Sequence, residues 1–394
     1  YASSGIKIVL SGTDSLGFML SQARELYDRC YMTHTTFVPY REFERVLGIK
    51  GIDEYIRYGG TMSPGGVNYH SKPATLATFA TEGSASDSVD SAIANNIQHS
   101  LKNYQDGRHF RLLLDLYEAD ELTSAINRIV EDMNHRFTLE VLTKDFKSND
   151  LGISASNLLK DRKNPSTILY QIDTAAVTDK LRKLLEIRNR PEMSVPITDA
   201  HRVQIKEYLD LLDITVDIDT VHLADLNHKD PRTVITQPGL RYAQAQALIL
   251  SLMQDDVFRA YSLAERNAVR DRILSDIQGR MMEDLILLET KMALPKCDIF
   301  KLVFAIGEFD MVVFDPEAAS CKIYEIKHSK ETALAQYRQL MDAEKCGATE
   351  FRYGPITEKT VIYRGKSLEI DGIHYVNAEE YLNGLGNGNV PSNL

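Results

Sequence analysis

The sequence has no tryptophan, only four cysteines in 394 residues, and no apolar run approaching the ~18 residues that a membrane-spanning helix needs. Cys30, Cys297, Cys321 and Cys346 are scattered, with no CxxC spacing. That argues against a structural zinc site or a disulfide framework and suits a reducing, cytoplasmic setting. Positive charge is also in deficit. Lys+Arg total 45 against 56 Asp+Glu, for a net charge of −11 and a pI near 5.5. A general basic coat for nucleic acid is excluded, but a local basic groove is not, because binding follows the local field. The ten histidines form no H-E-x-x-H pair, and no G-x-S-x-G elbow for a serine nucleophile occurs. No phosphate-cradling G-x-x-x-x-G-K-[ST] loop occurs either: Gly365-Lys366-Ser367 has Thr360 where its first glycine should stand. The N-terminus has no signal-peptide pattern; it starts at Tyr1 on a strand-like run, so further sequence is expected upstream.

What is present is globular. Hydrophobic residues make up 43% and charged residues 26%, enough for several cores, and the length suggests two to four domains. The fold class expected is α+β and multidomain. Ile6–Leu10 followed by Ser11-Gly12 reads as a buried parallel strand delivering a polar tip to a loop, and Gly59-Gly60 and Ser63–Gly66 close a first unit over residues 1–67. Residues 86–190 read as a helical bundle, with apolar stripes at Ala92/Ile93/Ile97/Leu101, at Leu112/Leu113/Leu116/Leu122 and at Ile126/Ile129/Val130/Met133. The basic helix 180–190 reads mainly as a solvated face. Residues 196–260 combine a helix with an alternating strand at Ile214–Val221, a loop at Asp230-Pro231 and a second strand at Thr233–Thr236, which suggests a winged-helix-like unit. Residues 264–385 run helix (Leu274–Leu294), three strands (Ile299–Ala305, Phe309–Phe314, Lys322–Ile326), helix (Glu331–Glu344), strand (Thr360–Tyr363) and a last helix (Ala378–Leu385), an αβββαβ order with one helix appended.

The chemistry concentrates in that last unit. Residues two apart on a strand share a face, so Glu325 and Lys327 point the same way, and a hairpin would bring Asp310, at the start of the preceding strand, beside them. Glu283 lies on the preceding, mostly apolar helix and needs a partner there. Carboxylates are the hard-oxygen ligands that Mg²⁺ or Mn²⁺ takes, and a lysine beside such an ion can position water or stabilise developing charge. A Glu-x-Lys pair alone is weak, since charge pairs usually cover solvated strands. His328, turned away from Lys327, reads as structural and Cys321 as a small core residue.

An acidic residue on the first helix, an Asp opening one strand and Glu-x-Lys on the next together resemble the PD-(D/E)XK nuclease superfamily. Phe309 stands where the usual motif has proline. The resemblance implies Asp310, Glu325 and Glu283 as metal-binding carboxylates and Lys327 as the catalytic lysine of a phosphodiester hydrolase. Ile8–Ser15, Arg29 and Phe37–Phe43 are similar to the end of a prokaryotic AAA+ ATPase core. That likeness implies Ser11 or Thr13 as a γ-phosphate sensor, Arg24 or Arg29 as an arginine finger, and a homo-oligomer. Its Walker A and Walker B elements are missing from the chain, which as written is not expected to bind ATP; ATP belongs to a longer parent. The partner expected is nucleic acid, DNA ahead of RNA, and not membrane. The rival reading is a non-catalytic regulator whose nuclease-like domain serves as a platform.

Overall fold

A 31-residue helix runs through the middle of the larger unit because its apolar residues recur every three or four positions. Val269, Ile273, Ile277, Met281, Leu285 and Leu288 are all buried on one stripe. The computed structural model describes residues 37–60, 111–119, 121–147, 197–223, 225–254 and 262–385. Ser11, Thr13, Arg24 and Arg29 lie outside the described residues, as does most of the expected bundle. Among the described residues no helix is long and apolar enough to cross a membrane.

The chain divides into two compact units, one holding residues 111–133 and 197–214, the other residues 37–60, 134–147 and 215–385. In the first, helices α3 (Arg111–Glu118), the start of α4 (Leu122–Lys147) and α5 (Asp199–Leu211) enclose a core of Leu113, Leu116, Ile126, Ile129, Ile205, Tyr208 and Leu209. Thr198 and His201 form a reciprocal capping box at the start of α5.

The second unit is α+β. It contains α1 (Tyr40–Leu47), α2 (Ile52–Tyr58), the rest of α4, β1 (Thr215–His222), β2 (Asp225–Ile235), α6 (Pro238–Met253), the long α7 (Leu263–Ala293), β3 (Asp298–Val303), β4 (Glu308–Asp315), β5 (Ser320–Lys327), α8 (Leu334–Tyr337), α9 (Ala343–Tyr353), β6 (Ile356–Tyr363), β7 (Leu368–Ile370), β8 (Ile373–Asn377) and α10 (Ala378–Gly384). The strands form one mixed sheet in the order β2-β1-β3-β4-β5-β6-β8-β7. β3, β4 and β5 are an antiparallel meander, and β6 returns parallel to β5 after α8 and α9. One core, with Ile277, Met281, Met311, Tyr324 and Ile362, includes α7 and takes in Tyr40, Phe43 and Tyr55 of α1 and α2. The other holds Phe300, Val312, Ile323, Val361 and Tyr375.

Three findings differ from the sequence expectation. The hairpin expected within a 196–260 winged-helix-like unit is part of the large sheet: β1 runs parallel to β3, pairing Asp219 with Phe300 and Val221 with Leu302. Pro231 lies within β2, where it faces Asp219. An edge strand needs no ladder donor on its open side, so a proline is tolerated there. The single helix expected at Glu331–Glu344 is instead α8, a 3₁₀ turn at Gln339–Met341, and α9. Asp342 divides them, its side chain accepting the N–H groups of Glu344 and Lys345 and so starting a new helix.

Candidate metal and phosphoryl-transfer site

β4 and β5 are central strands, so charged side chains on them are buried and need partners. Asp310 and Glu325 are each buried, and they meet at the ends of adjacent strands beside Lys327. Lys327 Nζ lies 2.8 Å from Asp310 Oδ2 and 2.6 Å from Glu325 Oε2. The backbone N–H of Ile326 also donates to Asp310 Oδ2, at 2.8 Å. Glu325 Oε1 is buried with no hydrogen-bond partner among the described residues.

Glu283 reaches the same cluster from α7, held by Arg280 at 2.5 Å. It joins the others through Lys301 of β3, whose Nζ lies 3.7 Å from Glu283, 2.6 Å from Glu308 and 3.8 Å from Asp310 Oδ1. Lys301, Glu308 and Arg280 were not singled out by sequence reasoning. The β3–β4 register carried the missing signal: Phe300 pairs with Val312 and Leu302 with Phe309, so Lys301 faces two residues, Asp310 and Met311, across a β-bulge. Bulges re-aim side chains in this way.

The electrostatics follow from burial and neighbours. Burial alone would raise the Asp310 carboxyl, but the ammonium groups of Lys327 and Lys301 and the Ile326 N–H overturn that and hold it well below the usual carboxylate range. Burial, and then the charge of Asp310, push Glu325 well above that range, with Lys327 opposing. Burial would lower Lys327, yet Asp310, Glu325 and Glu283 outweigh it and hold the ammonium well above its ordinary value.

Among the described residues no three His, Cys, Asp or Glu side chains are grouped to hold a metal ion. Two carboxylates do converge: Asp310 Oδ2 and Glu325 Oε2 are both within 2.8 Å of one atom, Lys327 Nζ. That donor set fits Mg²⁺, which binds one or two carboxylates and keeps its other positions for water and substrate phosphate. The other oxygen of that carboxyl, Glu325 Oε1, is buried with no hydrogen-bond partner among the described residues.

A cavity of about 350 Å³ opens beside the cluster, lined by Arg272, Ser275, Arg280, Glu283, Glu308 and His328 among others. His328, which reads as structural in sequence, is paired at 2.8 Å with Asp53 of α2, which Arg364 also contacts. No family model, curated protein or solved structure matches the chain.

Proposed function

We propose that the protein hydrolyses phosphodiester bonds in nucleic acid, using a divalent cation held by Asp310 and Glu325. The observation that carries this reading is the shared contact of Lys327 with both carboxylates at the ends of two adjacent strands. The element order α7-β3-β4-β5-α-β6, with β6 parallel to β5, supports a nuclease-like architecture for this part of the sheet.

When bound, the cation would polarise a phosphoryl oxygen and acidify a water. The chain's own residues do the rest. The Ile326 N–H locks the Asp310 carboxylate in one orientation and Lys327 and Lys301 keep it ionised, whereas burial and Asp310 favour the protonated form of Glu325, so a bound cation would have to draw that proton off. Asp310 and Glu325 hold Lys327 as an ammonium, a form suited to orienting water and stabilising negative charge. Its side chain is 31% exposed, which leaves it room to swing from the carboxylates toward a phosphate. Arg272 and Arg280 line the adjacent cavity, where their charge suits a phosphate backbone.

The test is calorimetric Mg²⁺ binding followed by cleavage of mixed DNA and RNA. Asp310→Ala is expected to lose ion binding. Lys327→Ala is expected to keep it while cleavage falls about 10²-fold or more, the usual loss when one positioned charge-stabilising donor is removed. Cleavage unchanged in Lys327→Ala sinks the role given to that lysine.

The second reading, a non-catalytic platform, has one observation in its favour: Asp310, Glu325, Glu283 and Glu308 are already paired with Lys327, Lys301 and Arg280 inside the chain. Absence of ion binding in the unaltered protein would select it.

A further inference from the structure

The proposed ion site uses one oxygen of Asp310; the other oxygen faces a second, different cation. Oδ2 lies 2.8 Å from Lys327, while Oδ1 lies 3.8 Å from Lys301. Around Lys301 Nζ stand three carboxylates from two elements: Glu283 on α7, and Glu308 and Asp310 on β4. Two-metal phosphoryl-transfer sites hold their ions about 3.5–4 Å apart and stabilise the attacking and the leaving oxygen together. Here the first position would have Asp310 Oδ2 and Glu325; Asp310 Oδ1, Glu283 and Glu308 surround Lys301 at the second, and with Lys301 in place they are not grouped to hold an ion.

We infer that the Lys301 ammonium is a built-in substitute for the second metal ion, so that the site takes one divalent cation and not two. This rests on the metal-dependent reading above. Three observations carry it. First, Lys301 sits on an interior strand between β1 and β4, and its side chain is only 5% exposed. Lys327, at 31%, can vacate its carboxylates for an ion, whereas Lys301 has no route out. Second, among the described residues Lys301 Nζ makes no aligned hydrogen bond. The Glu308 contact is close but badly angled, and the other two are too long. It therefore holds its place by charge among the three carboxylates, as a cation would. Third, the bulge opposite Lys301 brings Asp310 across from it, which is what lets one carboxylate serve both cations.

The consequence is a site with a fixed single charge in place of a dissociable double one. Cleavage by such a site should follow a simple one-ion dependence on metal concentration.

The experiment is a Mn²⁺ titration of the full chain, followed by calorimetry and by electron paramagnetic resonance, which counts bound ions and detects coupling between neighbours. One uncoupled Mn²⁺ is expected for the unaltered protein. Lys301→Ala is expected to bind two, magnetically coupled, and Lys301→Arg, which keeps the charge, is expected to stay at one. Lys301→Gln removes the charge, keeps much of the side-chain length and can hydrogen-bond the carboxylates, so it provides the same two-ion test if the alanine variant fails to fold. Two ions in the unaltered protein, or one ion in folded Lys301→Ala or Lys301→Gln, overturns the inference and leaves the metal-dependent reading standing. No ion in the unaltered protein overturns that reading and the inference with it.

Discussion

Glu289 sits six residues beyond Glu283 on the same helix, and the two carboxylates have opposite environments. Pro39, preceding α1, offers no side-chain cap, and the N–H of Tyr40 donates instead to the buried Glu289 carboxylate at 2.7 Å. Burial pushes the Glu289 carboxyl up to about 8, with the Tyr40 N–H, the Tyr55 hydroxyl and Arg41 opposing. A raised folded-state value means that the folded protein holds a proton that the unfolded chain has released. Stability should therefore fall as pH rises from the usual carboxylate range toward about 8, by at most about 1.4 kcal/mol per unit, and then level off. Glu289→Gln, which cannot ionise, should lack this slope. Melting temperatures of the two proteins across pH 5–9 check it, and parallel curves would dismiss the effect. Neither Glu289 nor Lys301 was legible in the sequence, because a lone acid on a helix or a lone lysine on a strand has the pattern of a solvated charge. Asp310, Glu325 and Lys327 were legible because their spacing alone puts two of them on one strand face and the third across a short hairpin.

At the scale of elements, Asp284 ties together parts that are distant in sequence. Its Oδ2 lies 3.0 Å from Arg241 of α6, and its Oδ1 lies 2.6 Å from Arg232 of β2. Arg241 also donates to the Thr233 carbonyl at 3.3 Å and lies 4.3 Å over the Phe137 ring of α4. Burial lowers the Arg241 guanidinium to about 10, with Asp284 opposing, so the carboxylate offsets part of the cost of burying that charge. Asp284→Ala leaves two guanidinium groups buried without their carboxylate and should cost about 3–5 kcal/mol. Urea unfolding measures it, and pairing the change with Arg241→Met should recover much of the loss. Elements were legible where burial imposes a period. The apolar stripe read over Leu274–Leu294 marked α7, although its first turns, Leu263 to Ile273, carry too few apolar residues to be read. α9 escaped for the same reason: only Cys346 and Thr349 are buried on it, and Phe351 is 95% exposed. β7 and β8 carried an unused signal, Asp371-Gly372, whose φ values of 53° and 76° make the tight turn that Asp-Gly favours.

At the scale of the molecule, the sheet runs across the place where a boundary was expected between residues 196–260 and 264–385. Removing β1 would uncover the full ladder edge of β3, and removing α1, α2 and α6 would strip Tyr40, Phe43, Tyr55, Tyr242 and Ile249 from the α7 core. A fragment of residues 263–385 should therefore associate through the exposed edge and melt without cooperativity. Size-exclusion chromatography and a thermal melt test this; a monomeric fragment with a sharp transition would mean that residues 263–385 are self-sufficient.

The sequence by itself determined the mixed α+β class, the meander β3-β4-β5 and the joining of Asp310 with Glu325 and Lys327, because alternation along a strand and short hairpins are local properties. Only the tertiary structure decided that β1 joins β3, that α1 and α2 pack on α7, and that Lys301 and Glu308 complete the cluster. These depend on pairings between segments tens to hundreds of residues apart and on a bulge in register, and neither leaves a periodic trace in the order of residues.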